Sequence, residues 1–395
     1  MYISQNLEKV IFTQTASNIF AVSYVNEMKL IQEELNSPCF LEVEEDNIRG
    51  VNHANICLES STCSGTSTID LMIVYTTAAK NAWGGVNTVN SNIATIISNL
   101  NLSMTASGIN NVAFNLVHTY ETTYEESGSQ STDLNNLRGT TDGFMDEIHS
   151  LRNTHGADLV ALINGDLGGG CGIGNLNISS TNYNDSATFS VTRFGCAVGN
   201  LTLAHEIGHN MGLRHDWYID SQTTPCSHHH GYVNRTAITN GTSSTSTQRW
   251  RTIMAYNNEC SDSGFSCSRV NRWSNPDLNY NGDTMGADLS DSNPAHEAYA
   301  FSRFACVVAA FRSPLSVDEF SGLLAVLYPN PVKDQLYIDI NLDDLNIEIF
   351  NLSGQLLLKT NEKTIELSHL KAGVYFLNIN SGTLNTSKVY KFIKE

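Results

Sequence analysis

The chain has 395 residues, 16% of them charged, and its formal net charge at pH 7 is −18. Its length allows two or three domains, and its acidic balance argues against nucleic acid or an anionic membrane as a partner, because like charges repel. No apolar run reaches the roughly 18 residues that a transmembrane helix needs. A protein of several domains without a transmembrane helix is therefore expected.

Residues 1–66 form a polar first segment, which we predict to be a prosegment or the remnant of one. Short strands are predicted at residues 10–13 and 18–24, and a helix at residues 27–35. The first ten residues have neither the basic start nor the sustained apolar core of a signal peptide. Since the rest of the chain indicates export, we expect that this reading frame lacks its leader.

Residues 67–313 alternate strands with helices, a pattern typical of a mixed α/β domain with a largely parallel, twisted sheet. The predicted elements before the zinc motif described next are strands at residues 69–75, 111–120, 157–164 and 187–193 and helices at residues 86–108 and 143–153. A further helix is predicted at residues 296–311. The glycine-rich stretch at residues 165–174 is not a phosphate loop, because no Gly-Lys-Ser/Thr follows it.

Residues 205–215 carry the most informative pattern, H-E-x-x-H-x-x-G-x-x-H. On a helix, His205 and His209 lie one turn apart on the same face and can bind one metal ion. Glu206 lies beside them without occupying a coordination position. Gly212 can end the helix in a left-handed conformation, which returns His215 as a third ligand. Three imidazoles leave one position of Zn²⁺ open, as a catalytic site requires.

Two other interpretations also fit this pattern. The histidines could belong to an ordinary amphipathic helix, or they could form a closed structural zinc site, although such sites usually contain cysteine. Either Asn200 or Thr202 could cap the start of the helix, which should end at residues 210–212. The run His228–His230 is predicted to consist of polar-loop histidines rather than metal ligands.

The motif and the Asp216 that follows it resemble the metzincin metallopeptidases, in particular their reprolysin-like (adamalysin-type) branch. Residues 252–256, Thr-Ile-Met-Ala-Tyr, are similar to the Met-turn, in which Met254 would lie beneath the zinc ligands as an apolar floor. The resemblance covers residues 67–313. It implies one catalytic Zn²⁺, Glu206 as general base, and a peptide substrate bound extended along a sheet edge near residues 168–176.

Tyr256 departs from the reprolysin pattern. A tyrosine two residues after the Met-turn methionine is instead similar to astacins and serralysins, where it serves as a movable zinc ligand or stabilises the oxyanion. Its role here is left open, and a calcium requirement is undetermined from the sequence.

The chain has nine cysteines. Six lie within the predicted enzyme, which permits three disulfides in an oxidising compartment, with buried free thiols as the alternative. Proximity favours Cys171–Cys196 and Cys260–Cys267. Three more precede the enzyme: Cys39, Cys57 and Cys63. Any of these could supply a thiolate that fills the open zinc position and keeps the enzyme latent, or two could form a small disulfide.

Residues 314–325 are a predicted linker, and residues 326–395 contain short strand-like runs separated by turns, which predicts a small all-β sandwich. The motifs YPNP at residues 328–331, IFNLSG at 349–354 and LKAGVYF at 370–376 resemble the sorting domain of the type IX secretion system of Bacteroidetes. The resemblance implies export from a Gram-negative cell by that machinery, ending in a secreted or surface-attached protein. The alternative is an adhesin or carbohydrate-binding module.

Taken together, these features predict a secreted zinc metalloendopeptidase. A non-catalytic adhesin on a metalloprotease fold and a zinc amidase are the alternatives. The intact Glu206 argues against the former, and the predicted Met-turn and third histidine argue against the latter. Cleavage specificity does not follow from any single residue.

Overall fold

The structure is a computed structural model. It describes residues 2–5, 8–16, 19–26, 40–42, 55–58, 63–165, 170–312, 325–340, 342, 344–351, 354–381 and 386–395. The chain divides into two compact units, residues 1–314 and 315–395. The predicted helix at residues 27–35 and most of the predicted linker lie outside the described residues.

The first unit contains thirteen strands and nine helices among its described residues. The strands are β1 (Tyr2–Gln5), β2 (Glu8–Ala16), β3 (Ile19–Asn26), β4 (Phe40–Glu42), β5 (Ser67–Thr76), β6 (Val112–Thr122), β7 (Leu159–Asn164), β8 (Gly172–Leu176), β9 (Phe189–Arg193), β10 (Trp250–Arg251), β11 (Ser268–Arg269), β12 (Asn275–Tyr280) and β13 (Asp283–Met285). The helices are α1 (Thr77–Ala82), α2 (Val86–Ala106), α3 (Gln130–Arg138), α4 (Asp146–Thr154), α5 (Phe194–Ala197), α6 (Thr202–Asn210), α7 (Arg235–Asn240), α8 (Asn258–Asp262) and α9 (Glu297–Val308).

The main sheet has six strands in the order β4-β8-β9-β7-β5-β6. Strands β6, β5, β7 and β9 run parallel, and β8 is antiparallel to β9. The expected mixed α/β architecture is therefore confirmed. Strands β1 to β3 form a separate antiparallel sheet, in agreement with the strands predicted near the start of the chain.

Alternation along β5 divides the core into two layers. Ile69, Leu71 and Ile73 face the larger cluster, which holds the apolar stripes of α2, α6 and α9. Met72 and Val74 face the other cluster, which α3 and α4 cover. Both faces of the central strands are buried, and this explains why their sequences are continuous apolar runs. Helix α6 is thus held directly against the sheet.

Two features of this unit differ from expectation. Helix α3 was not predicted, because its mixture of Asn, Ser and Thr gives a weak apolar period. The predicted Cys171–Cys196 and Cys260–Cys267 disulfides are present. Cys226 and Cys306 were expected to pair within the enzyme domain, but each forms its disulfide with a cysteine that precedes that domain. Their partners are Cys57 and Cys63, at sequence separations of 169 and 243 residues, which proximity along the chain cannot predict.

The second unit is the expected small all-β domain. One sheet has three strands, β14 (Val326–Tyr328), β15 (Gln335–Asp339) and β18 (Thr364–Glu366). The other has four, β16 (Leu345–Asn351), β17 (Leu356–Thr360), β19 (Gly373–Ser381) and β20 (Thr386–Lys394). Both contribute side chains to one apolar core, so the sheets pack as a sandwich. Among the described residues of the chain, none forms a helix long and apolar enough to cross a membrane.

Candidate metal centre

Helix α6 carries the first two predicted metal ligands. It begins at Thr202 after Leu201, whose φ is +57° and which supplies no side-chain cap. The prediction that Asn200 or Thr202 caps the helix is therefore wrong: the Asn200 side-chain amide donates instead to the Thr202 hydroxyl, at 3.2 Å. The helix start is fixed by its buried surroundings, since every residue from Thr202 to Asn210 is buried.

Backbone carbonyls orient the imidazoles of His205 and His209. The Nδ1 of His205 lies 2.8 Å from the carbonyl oxygen of Ile253, and the Nδ1 of His209 lies 2.8 Å from that of Leu213. A carbonyl only accepts, so Nδ1 carries the proton in both rings. Each Nε2 then keeps its lone pair, as a metal ligand must, and the carbonyl contacts are the orienting bonds typical of metal-bound histidine.

Gly212 makes the turn that follows the helix. Its φ is +80°, and a Cβ at this position would lie 1.6 Å from the Tyr183 hydroxyl oxygen. That hydroxyl donates to the carbonyl of Met211 at 2.7 Å, so it closes the end of the helix. Both the left-handed backbone and this close contact require glycine.

The turn brings His215 to the two helical histidines. The ligand atoms of His205, His209 and His215 all lie within 4.8 Å of one another. The Nε2 of His215 is buried and has no hydrogen-bond partner. An unpaired buried polar atom costs free energy, and a metal ion bound to this nitrogen would remove that cost. Burial lowers the pKa of His209 to about 3 and those of the other two well below the usual value, so all three imidazoles are neutral, as metal ligands must be. The donor set fits Zn²⁺.

The loop that follows supports His215, the predicted third ligand, and the sequence alone did not indicate this role. His229 and His230 are fully buried rather than exposed in a polar loop. The Nδ1 of His229 lies 2.8 Å from the Gly212 carbonyl oxygen, and the Nδ1 of His230 lies 2.6 Å from that of His215. His228 and His229 also form a second potential ligand group with Cys226, but the Cys226 sulfur is bonded to Cys57.

Met254 lies fully buried against helix α6, as the Met-turn prediction expects of an apolar floor. A Cβ on Gly208 would approach the Met254 sulfur to 2.3 Å. Gly208 is one of the unspecified positions of the zinc motif, but here it is what lets the methionine reach the helix.

The carboxylate of Glu206 lies under strand β8, and the residue is 1% exposed. A Cβ at Gly172 would lie 2.5 Å from its Oε1, and a Cβ at Gly174 would lie 2.8 Å from its backbone oxygen. Because Gly172 and Gly174 have no side chains, helix α6 and the Glu206 carboxylate can pack closely against β8. The sequence shows that this stretch is rich in glycine, but it does not show that Glu206 and helix α6 pack against these glycines.

Asp216, which directly follows His215, bonds to the turn that contains Tyr256. Its carboxylate accepts from the backbone N–H groups of Tyr256 at 2.8 Å and of Tyr218 at 3.1 Å. Burial raises the pKa of Asp216 to about 6. The Tyr256 ring centroid lies 4.3 Å from that of His215 and 5.8 Å from that of His205, so this tyrosine does reach the centre.

Strand β4 occupies the outer edge of β8. It pairs in parallel, with Phe40 opposite Gly174 and Glu42 opposite Leu176. The Phe40 ring lies 5.0 Å from the His209 ring and 5.4 Å from the His215 ring, as measured between centroids. The N-terminal segment thus covers the edge at which an extended peptide was expected to bind.

Two of the three candidate switch cysteines are ruled out by their bonding. Cys57 is joined to Cys226 and Cys63 to Cys306, so neither has a thiolate to offer a metal. Cys39 lies outside the described residues, next to Phe40.

Comparison with known proteins agrees with this geometry. Residues 65–274 match the sequence model of metallopeptidase family M12, and residues 326–395 match that of a secretion system C-terminal sorting domain. A peptidyl-Asp metalloendopeptidase of Stenotrophomonas maltophilia strain K279a is 39% identical over 63% of this chain and 54% of its own length. Enzymes of the same name from Xanthomonas campestris and Pseudomonas fragi are 34% and 35% identical, over 60% and 43% of this chain and 50% and 79% of theirs.

The chain spans about half the length of the first curated relatives it matches. The M12 match nevertheless covers more than half of this chain and contains the three histidines, Glu206 and Met254. The chain therefore belongs to metallopeptidase family M12.

Proposed function

We propose that this chain is a secreted, zinc-dependent endopeptidase that cleaves peptide bonds at aspartyl residues. The observation that carries the proposal is the convergence of three neutral imidazoles beside the buried carboxylate of Glu206. Zinc held by His205, His209 and His215 would supply Lewis acidity that makes water a nucleophile near neutral pH and polarises the scissile carbonyl.

In this mechanism Glu206 is the general base. It takes a proton from the attacking water and delivers it to the departing amide nitrogen, a shuttle typically worth about 10²- to 10⁴-fold in rate. Tyr256 has its ring against the ligands, and its hydroxyl donates to the carbonyl oxygen as negative charge develops there. Met254 contributes only an apolar floor.

The substrate lies extended along β8, whose outer edge offers backbone groups to a peptide. Because β4 holds that edge in the chain as it stands, the N-terminal segment acts as a prosegment that competes with the substrate. Phe40 covers the histidines, and Cys39 beside it is the remaining candidate for a thiolate ligand. Removal of this strand is the activating step.

The preference for aspartate is inferred from the relatives, which are named peptidyl-Asp metalloendopeptidases. The sorting-domain match supports export by the type IX machinery to the outside of the cell or its surface, and residues 326–395 take no part in catalysis.

The alternatives receive no support from the site. A non-catalytic adhesin would not need Glu206 or three ligands with aligned imidazoles, and an amidase would not explain the similarity to endopeptidases.

A digest of a peptide library by the processed protein tests the proposal, with the cut sites read by sequencing of the products. We expect cuts at aspartate that stop with a zinc chelator and return with added Zn²⁺. Chelator-resistant cleavage would contradict the metal mechanism, and cuts without regard to aspartate would contradict the substrate class alone.

A further inference from the structure

A second cluster of potential metal ligands lies in the loop that supports His215. The ligand atoms of Cys226, His228 and His229 all lie within 4.8 Å of one another, as those of the candidate metal centre do. All three residues are buried. Cys226 is joined to Cys57 by a disulfide, so a second sulfur lies beside the cluster. Two sulfurs and two imidazoles therefore meet at one place in the first unit.

Both imidazoles of this cluster have a buried nitrogen without a partner. His229 is fully buried, and its Nδ1 lies 2.8 Å from the carbonyl oxygen of Gly212, so Nδ1 carries the proton. Its Nε2 keeps the lone pair and has no hydrogen-bond partner. The Nε2 of His228, a residue that is 5% exposed, is buried and unpartnered as well. Such nitrogens cost free energy, and a bound metal ion would remove that cost.

The charge beside the cluster limits which metal site can form. Arg303 is 6% exposed and lies over the Tyr299 ring at 4.3 Å, and the His228 ring packs against the same tyrosine at 5.0 Å. A divalent cation held by two imidazoles alone would bring two more positive charges toward this guanidinium. Two thiolates cancel the charge of Zn²⁺, and two cysteines with two histidines are a common ligand set of structural zinc. The site therefore needs its cysteines as thiolates.

We propose that reduction of the Cys57–Cys226 disulfide converts this cluster into a second zinc site, whose ligands are Cys57, Cys226, His228 and His229. A dithiol reductant supplies two electrons and two protons to the disulfide and itself becomes a disulfide. The two cysteine thiols then lose their protons to water as Zn²⁺ binds both sulfurs. One metal ion thus replaces one covalent bond, and residue 57 stays linked to the loop that supports His215.

Cys57→Ser tests the proposal without a reductant, because it frees the Cys226 thiol and leaves the other disulfides in place. The matched control is Cys63→Ser, which breaks the other long-range disulfide and frees Cys306. Among the described residues, neither ligand group contains that cysteine. All proteins are full chains that also carry Cys39→Ser, so that Cys39 adds no thiolate. Cobalt(II) is the probe, because a bound thiolate gives it a charge-transfer absorption that three histidines do not give.

We expect Cys57→Ser to bind about two cobalt ions per chain and to show the thiolate absorption, and Cys63→Ser to bind about one and to show none. Added Zn²⁺ should displace the cobalt and remove the absorption. Adding His228→Ala to Cys57→Ser should return the metal content to about one, whereas adding His296→Ala should leave it at about two. His296 is the matched histidine, because it also packs on Tyr299 and has a buried, unpartnered Nδ1 but is not in the ligand group.

Two results would overturn the assignment. Cys57→Ser could bind no more cobalt than Cys63→Ser, which would mean that freeing Cys226 creates no site. Alternatively, His228→Ala and His296→Ala could change the metal content equally, which would remove His228 from the ligand set. Neither readout involves peptide cleavage, so the result is independent of the proposed activity.

If Cys57→Ser does not fold, the wild-type chain is reduced with a phosphine, which takes an oxygen atom from water and becomes a phosphine oxide. The cysteines are then alkylated with iodoacetamide, with and without Zn²⁺, and the modified positions are mapped by mass spectrometry. Protection of Cys57 and Cys226 by zinc, without protection of Cys63 and Cys306, would support the proposal. Equal alkylation of all four would overturn it.

Discussion

The two units of this molecule bury different kinds of side chain. The core of residues 326–395 is built from aliphatic and aromatic side chains of two sheets, and the described part of that unit contains no disulfide. The first unit buries histidines, Glu206, Asp216 and several arginines, and is cross-linked four times. Buried polar groups cost free energy unless they are paired, so their concentration in the first unit is what the active site proposed there requires.

The largest effect should come from removing a ligand. In His215→Ala, two imidazoles remain, so we expect loss of most of the zinc and a fall in activity of more than about 10³-fold, measured by metal analysis and peptide cleavage. His228→Ala is the control, because His228 belongs to the second histidine group. Zinc loss in the control, with zinc retained in His215→Ala, would transfer the metal site to the other group.

Removal of the N-terminal strand should have the next largest effect. Because β4 covers the edge of β8 while Cys57 is tied to Cys226, a cut that frees the edge and leaves no attached prosegment must fall between residues 42 and 55. We expect such a cut to raise activity about tenfold or more. N-terminal sequencing and non-reducing mass analysis of the active form check it.

An active form that begins after Cys63 would contradict this account, because the prosegment would then stay linked through two disulfides. Equal activity of cut and uncut chains would show that β4 does not compete with substrate.

A smaller, structural effect is expected at Gly208. A Cβ there would meet the Met254 sulfur at 2.3 Å, so Gly208→Ala should lower the free energy of unfolding by about 1–3 kcal/mol, as overpacking typically does. Denaturant unfolding measures this. Gly195→Ala is the matched control, since a Cβ at that helical glycine meets nothing within 4 Å. Equal stability of the two variants would mean that the helix and the Met254 turn are not in close contact.

The smallest effect concerns the second unit. A chain that stops near residue 316 should keep its zinc and its kcat/KM within about twofold, because the two units have separate cores. In the native host, the same truncation should abolish export. Loss of activity on truncation would show that the sandwich is part of the catalytic machine.

The sequence predicted the features that depend on local pattern. The spacing of His205, His209 and His215 predicts that their side chains converge, and the short strand-like runs of the C-terminal region predict a β-sandwich. In the same way, close cysteines such as Cys260 and Cys267 could be paired by proximity.

Features that depend on distant contacts could not be predicted. The partners of Cys57 and Cys63 lie 169 and 243 residues away. The polar neighbours of His229 and His230 predict surface residues, yet both are buried: His229 bonds to the Gly212 carbonyl and His230 to the His215 carbonyl.

The most direct test of the central claim is Glu206→Gln in the processed protein, with zinc and activity measured on the same sample. The account predicts about one zinc per chain, as in the wild type, and a fall in kcat of about 10²-fold or more, because the ligands remain while the base is lost. A variant that binds zinc and cleaves peptides at the wild-type rate would contradict the assignment of Glu206 as the general base.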